Sequence, residues 1–282
     1  MPDSIGLASG NGPQALWRPP PTAGLARQDT VLSCDQLTVT FGGITALERL
    51  SFEVPRGQIC ALVGPNGAGK TTFFNCASGL YAVDSGDIRF KGRSIVGMAP
   101  HALAALGIAR TFQNLALFES QSVLFNVLCG DHARQRGNAL TQCLGLGSVR
   151  RDEARAHEKA FTWLARLNLA DLAHRRAGEL SLATRKRVEL ARALIAEPAL
   201  LMLDEPAAGL SQDELETLAS LLTELRIQNG LTILLVEHRM RWLQTLCDRV
   251  IALDFGRKIA EGRPEVVREH PAVIAAWLGE ST

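Results

Sequence analysis

The chain has 282 residues, 46% of them apolar, and a formal net charge of +1 from 30 basic and 29 acidic side chains. That length can bury a substantial core as one large domain or two subdomains, and so even a balance gives no electrostatic ground for a nucleic acid partner. Cys34, Cys60, Cys76, Cys129, Cys143 and Cys247 stand apart without a Cys-x-x-Cys pair, which argues against a disulfide or zinc framework and suits a reducing compartment.

No uncharged apolar stretch reaches the roughly 18–20 residues needed to cross a bilayer. The N-terminus carries no charged-then-apolar export signal. A soluble, cytoplasmic protein is expected, with any membrane role exercised through partners. Residues 1–30 are rich in glycine, proline and small side chains without a sustained period, and a flexible tail containing Trp17 is predicted there.

From Val31 short alternating runs take over. LSCDQLTVTF and LERLSFEV flank Gly42-Gly43, GDIRFKG follows, and such runs between glycines predict antiparallel strands. QICALVG, ALLMLDE and LTILLVEH are short, continuous and apolar, the pattern of parallel strands covered on both faces. A buried thiol is expected at Cys60, inside the first of them. Each run precedes a helical pattern, so an α/β core follows. Between Phe112 and Ala193 the pattern is helical, and in RRDEARAHEKAFTWLARL the residues Ala160, Phe161, Leu164 and Leu167 share one face. A helical subdomain inserted into the core accounts for this stretch. Near the end, DRVIALDFGRKIAEG predicts two strands around a turn at Phe255-Gly256.

The chemistry begins at GPNGAGKT, Gly64 to Thr71, which fits G-x-x-x-x-G-K-[ST] directly after a predicted strand. Gly67 and Gly69 let the backbone curl so that several N–H groups point at one phosphate chain. A helix starting at about Lys70 turns its positive end toward the same phosphates. Lys70 supplies a mobile charge for the β- and γ-phosphates, and the Thr71 hydroxyl can ligate Mg²⁺. In LLMLDEP, Asp204 ends a strand where it suits a magnesium ligand acting through water, and Glu205 can deprotonate a water attacking the γ-phosphate. Taken alone, an acid pair before Pro206 would be an ordinary strand end. His238 after LTILLVE can reach the γ-phosphate and that water, although a lone histidine there is more often structural. Gln113 in ARTFQN can offer its amide oxygen to the metal, or be an ordinary surface glutamine.

The order of these pieces resembles the ATPase subunits of ABC transporters. Phe41 resembles the aromatic that stacks on adenine. GPNGAGKTT, with Gly64, Pro65, Asn66, Gly67, Ala68, Gly69, Lys70, Thr71 and Thr72, is similar to the Walker A loop, and RTFQN to the Q-loop. LSLATRKRVELARAL is similar to the signature region, LLMLDEP to the Walker B strand, AAGLS to the D-loop and VEHRM to the H-loop. More narrowly, GIARTFQN, LDEPAAGLS, LLVEHRM and PAVIAAWLGE resemble the branched-chain amino acid uptake group, in its larger ATPase.

The resemblance implies a P-loop NTPase (RecA-like) core with an antiparallel β subdomain and an inserted helical subdomain. The ATPase domain would span 31–282, with helices at about 112–185 and a C-terminal extension at about 268–282. It implies ATP hydrolysis with Mg²⁺ held by Thr71, Gln113 and Asp204, with Glu205 as base and His238 beside it. Membrane-spanning permease subunits, a second ATPase subunit and a periplasmic solute-binding protein are the implied partners. The implied location is the cytoplasmic face of the inner membrane, as a peripheral protein. Leu115, Leu117 and Phe118 are candidates for the groove that takes a short permease helix, or for ordinary core packing, and Phe125 replaces the glutamate found before Asn126 in many members.

In this family each signature completes the nucleotide site of the opposite subunit, so Ser181 would cap its helix and face the partner's γ-phosphate together with Ala183. The consensus is L-S-G-G-Q, and Leu182, Ala183 and Thr184 depart from it. Alanine at a helix start keeps a favourable negative φ, so what it puts at stake is close approach. Arg185, Lys186 and Arg187 would add positive field or be solvated. Ser211 replaces the consensus aspartate and opens SQDE, a capping-box pattern with Glu214. Two other functions share these motifs: a non-transport ATPase of the same fold, and a weakly hydrolysing regulatory subunit of an ATPase pair.

Overall fold

The computed structural model describes residues 30–112, 115–134 and 147–278. The expected tail up to residue 29, Gln113, Cys143 and the last four residues lie outside the described residues.

Alternating burial builds the first sheet. Strands β1 (Thr30–Phe41) and β2 (Ile44–Pro55) pair antiparallel across Gly42-Gly43, and β4 (Ser85–Phe90) and β5 (Arg93–Ser94) extend it in the order β2-β1-β4-β5. These are the alternating runs of the sequence.

The second sheet holds the three apolar runs as β3 (Ile59–Val63), β7 (Leu200–Asp204) and β8 (Thr232–Val236), every residue of which is buried. With β6 (Ile108–Arg110), β9 (Arg249–Asp254) and β10 (Arg257–Gly262) the order is β10-β9-β3-β8-β7-β6, parallel except for β10. The continuous hydrophobicity follows from two separate cores. Ile59, Ala61, Val63, Leu201, Leu203, Ile233 and Leu235 face a core shared with Leu164, Leu215 and Trp242. Cys60, Leu62, Leu200, Met202, Leu234 and Val236 face another, shared with Phe73, Phe74 and the antiparallel sheet. Strand side chains alternate faces, so a strand between two cores needs an apolar residue at every position.

The helices in chain order are α1 (Lys70–Ala77), α2 (Pro100–Leu106), α3 (Val123–Leu128), α4 (Gly147–Arg166), α5 (Leu182–Leu194), α6 (Gln212–Asn229), α7 (Met240–Leu246), α8 (Pro264–Arg268) and α9 (Pro271–Leu278). None among the described residues is long and apolar enough to cross a membrane. One expectation fails in α4. Ala160, Leu164 and Leu167 are buried, and Ala156 and Trp163 complete their face. Phe161 is 40% exposed and tilts against His174 with ring centroids 6.5 Å apart. It directly follows Ala160, about 100° further round the helix, so it falls off the face on which the i, i+4, i+7 positions converge. Cys60 is buried as expected, and its thiol is pushed up to about 12 by burial.

Two glycines fix how the sheets meet at the start of α1. Gly64 has φ 148°, and a Cβ there would stand 2.1 Å from the Leu253 carbonyl oxygen. Gly256, at the predicted β9–β10 turn, has φ 75°; its N–H donates to the Ala68 carbonyl at 3.1 Å and its carbonyl accepts from Glu48 N–H at 3.0 Å. A Cβ on Gly256 would lie 2.5 Å from the Ala46 carbonyl oxygen, whereas one on Gly230, φ 61°, meets nothing within 4 Å. Gly230→Ala should therefore cost only the backbone penalty, about 1 kcal/mol, and Gly256→Ala clearly more, because backbone must also move. Thermal unfolding of the two variants against wild type checks this; equal melting temperatures would contradict it.

Candidate functional site

The parallel register carries three strand ends to one edge: Leu62 pairs with Val236, and Val236 with Asp204. Ligands of open α/β sheets bind outside this carboxyl edge. The loop of Gly64 to Gly69 leaves β3 here. Ala68 N–H donates to the Pro65 carbonyl at 3.2 Å, and Gly69, φ 96°, caps α1 without a side chain. A Cβ at Gly69 would sit 2.7 Å from the Ala46 carbonyl oxygen, so glycine is required where the loop crosses β2. Lys70 Nζ folds over the loop and donates to the carbonyls of Gly64 at 2.6 Å and Pro65 at 2.7 Å. Asn66, Gly67 and Thr71 are exposed, Thr72 and Lys70 half-buried, Pro65 and Ala68 buried.

Asp204 ends β7 with its carboxylate nearly sealed. Arg110, at the end of β6, donates from Nη2 to Asp204 Oδ2 at 2.9 Å. Burial pushes the Asp204 carboxyl above its ordinary range, opposed by the Arg110 hydrogen bond and charge. Among the described residues Oδ1 accepts no hydrogen bond. Glu205, one residue on, has φ 48°, a left-handed conformation that turns the chain sharply out of the strand. Its N–H still donates to the Val236 carbonyl at 3.0 Å, keeping the turn on the sheet.

His238 is exposed just past β8. Its backbone is held by the preceding residue: Glu237, fully buried, accepts from Ala207 N–H at Oε1 (2.9 Å) and from His238 N–H at Oε2 (3.1 Å). One carboxylate thus ties the turn after Glu205 to the histidine segment. Phe41, at the outer end of β1, is 44% exposed and meets Tyr81 edge-on at 5.2 Å.

Ser181 caps α5 as expected, its Oγ accepting from Thr184 N–H at 3.3 Å and lying 2.9 Å from Thr184 Oγ1. Leu182, Ala183 and Thr184 all have negative φ, so the departure from glycine brings no backbone strain. Ser211 and Glu214 form the predicted capping box at α6. Ser181 and Ala183 line a cavity of about 330 Å³ with Lys186, Glu205 and Pro206.

The three basic residues behind Ser181 are not left to solvent. Arg185 pairs with Glu119 at 3.0 Å, and Arg187 donates to the Leu167 carbonyl at 3.3 Å. Lys186 Nζ donates to the carbonyls of Pro206 at 2.9 Å and Glu205 at 3.3 Å. Burial lowers the pKa of Lys186, opposed by the charges of Glu237, Glu189 and Glu205. On the same helix, buried Glu189 accepts from Phe112 N–H at 3.4 Å, fixing the chain just before Gln113.

Sequence reasoning found the loop, the acid pair, the histidine and the cap. It passed over Arg110, Glu237 and Glu189, and it read Lys186 only as positive field or a solvated charge, not as a tether to the Glu205 and Pro206 carbonyls. The available signal was a lone arginine ending LGIAR, where an apolar strand would otherwise carry no charge.

Comparison with known proteins fits this geometry. The ABC transporter family model matches residues 47–208, and the model for the branched-chain amino acid ATP-binding cassette transporter matches 257–281. The high-affinity branched-chain amino acid transport ATP-binding protein BraF of Pseudomonas aeruginosa is 39% identical over 89% of this chain and 98% of its own. LivG of Escherichia coli, of the same description, gives the same identity and coverage. Among solved structures, an ATP-binding cassette of an ABC transporter in its ADP conformation has a TM-score of 0.78 at 32% identity. That match covers 89% of this chain and 99% of the other. A nucleotide-free cassette has a TM-score of 0.77 at 31% identity, covering 88% and 98%. The chain belongs to the ATP-binding proteins of ABC transporters, in the branched-chain amino acid transport family.

Proposed function

We propose that the chain hydrolyses ATP to drive uptake of branched-chain amino acids, or of a related small polar solute such as urea or an amide. The observation that carries the mechanism is the convergence of the glycine loop, Asp204-Glu205 and His238 on one sheet edge. The triphosphate would lie along Gly64 to Gly69 and the first turn of α1, where backbone N–H groups and the helix dipole favour anions. Lys70 exchanges its two carbonyl partners for phosphate oxygens, and Phe41 stacks on the base.

Thr71, Gln113 and Asp204 would hold Mg²⁺. The donor set fits: Asp204 Oδ1 accepts no hydrogen bond among the described residues, and no cluster of three metal-binding side chains occurs among them. A magnesium ion bound through one carboxylate, a hydroxyl and the nucleotide's own phosphates needs no such cluster. When bound, it would screen the charge of the β- and γ-phosphates. Glu205 takes the proton of the attacking water, from a left-handed residue that turns the chain out of the strand. His238 hydrogen-bonds the γ-phosphate, with its backbone held by Glu237.

A second ATPase subunit, identical or paralogous, would present Ser181 and Ala183 to this site and receive the same from it. Permease subunits would dock at the apolar groove that includes Phe118 and Phe125, whose rings meet edge-on at 6.0 Å. Asn126 braces that groove through hydrogen bonds with Phe118 N–H and carbonyl, at 2.8 and 3.1 Å. Leu117 is buried beneath it. A periplasmic solute-binding protein completes the system, and this subunit works as a peripheral protein at the cytoplasmic face of the inner membrane.

Glu205→Gln should keep ATP affinity within about twofold while hydrolysis falls by about 10²–10⁴, the usual worth of a general base. Phosphate release and nucleotide binding on the same preparation check it, and hydrolysis at the wild-type rate would remove Glu205 from that role. Reconstituted with its two permeases and solute-binding protein, the subunit should hydrolyse ATP faster when a branched-chain amino acid is supplied. A rate indifferent to every membrane partner would count against transport.

A further inference from the structure

Arg110 has no part in the chemistry described above, yet it is held from several sides. Its side chain is 7% exposed and that of Asp204 3%. Nη2 donates to Asp204 Oδ2, while Nη1 donates to Asn75 Oδ1 at 2.8 Å and to Ser78 Oγ at 3.1 Å. Asn75 belongs to α1 and Ser78 is its C-cap, so the guanidinium clamps the Walker B strand to the helix that begins at Lys70. The rings of Phe74 and Phe112 lie 5.4 and 5.0 Å from its central carbon. A planar fork with fixed donor directions can bridge two elements in this way, and a lysine ammonium cannot.

Packing alone does not account for such a device. Replacing a buried ion pair with well-packed apolar residues is often neutral or stabilising. A buried pair at the end of β7 therefore points to a use for the carboxylate itself. Arg110 engages only Oδ2, and it stands three residues before Gln113 in the sequence.

We propose that Arg110 is the positioning residue of the metal site. It fixes the Asp204 carboxylate against α1 by one oxygen, so that the other meets a nucleotide-bound divalent cation in a single orientation. The proposal rests on the assignment of Asp204 to the metal given above. Partners that orient ligating groups typically contribute about 10- to 100-fold to metal affinity.

The test uses the full chain with saturating ADP and follows Mn²⁺ binding through loss of the free-ion electron paramagnetic resonance signal. Arg110→Met should weaken Mn²⁺ binding by about tenfold or more while metal-free ADP affinity stays within about twofold. Arg110→Lys should not restore it, because charge without the fork does not orient the carboxylate. Mn²⁺ affinity within about twofold of wild type in Arg110→Met overturns the proposal, as does an equal loss of ADP affinity with and without metal. If Arg110→Met does not fold, Arg110→Lys decides by the same thresholds. Asp204→Asn run in parallel separates the premises: if it binds Mn²⁺ like wild type, the assignment of Asp204 fails first.

Discussion

Three five-residue strands, β3, β8 and β7, lie side by side in parallel register with every residue buried. The rest of the molecule depends on that pairing. A shift of one residue in any of the three would exchange the side chains facing its two cores. It would also draw the strand's end back from the common edge, separating the glycine loop from Asp204 or from His238. Since both faces are apolar, hydrophobicity alone does not forbid such a slip. Side-chain size and the fixed points at the strand ends do. One such point is Asp248, which accepts from Ile59 N–H at 2.8 Å while Arg226 donates to both its oxygens at 2.7 Å.

A layer of polar side chains behind the strand ends takes the register into the site. Arg110 joins β6 and α1 to Asp204, Glu237 joins the turn after Glu205 to His238, and Glu189 holds Phe112. Each is largely or fully buried, and a buried charge is tolerated only when partners offset its desolvation. The two terminal nitrogens of Arg110 are bonded, while its buried Nε has no partner among the described residues. That requirement makes the layer stiff. Glu237 donates nothing and accepts only from backbone, so it fixes chain positions and leaves side chains such as His238 free to act.

Legibility in the sequence followed the range of the interaction. The strands other than the short β5 and β6, the α1 start, the Ser181 cap and the Ser211–Glu214 box are set by neighbours within a few residues, and local pattern revealed them. The glycine requirement at Gly69 was legible too, because the motif encodes the turn, although the atom that enforces it, Ala46 O, belongs to a distant strand. Gly67 is required by its φ of 80° alone, and the contact of Gly64 with Leu253 O was not foreseen. Arg110 and Asp204 are separated by 94 positions and Glu237 and Ala207 by 30. No spacing rule marks such pairs; only the strand order brings them together. Phe161 was misjudged because an apolar residue beside a helical stripe looks, by composition, like part of it.

Lys186 has a consequence for how the two ends of one helix can move. It lies five residues beyond Ser181 on α5, about 7–8 Å along the axis, and it grips the carbonyls of Glu205 and Pro206 from within its own subunit. The helix is therefore pinned at the Glu205 and Pro206 backbone, with the serine about one and a half turns away at its tip. A tilt that advances or withdraws the tip must either drag the Glu205 peptide with it or snap two hydrogen bonds made by a half-buried ammonium.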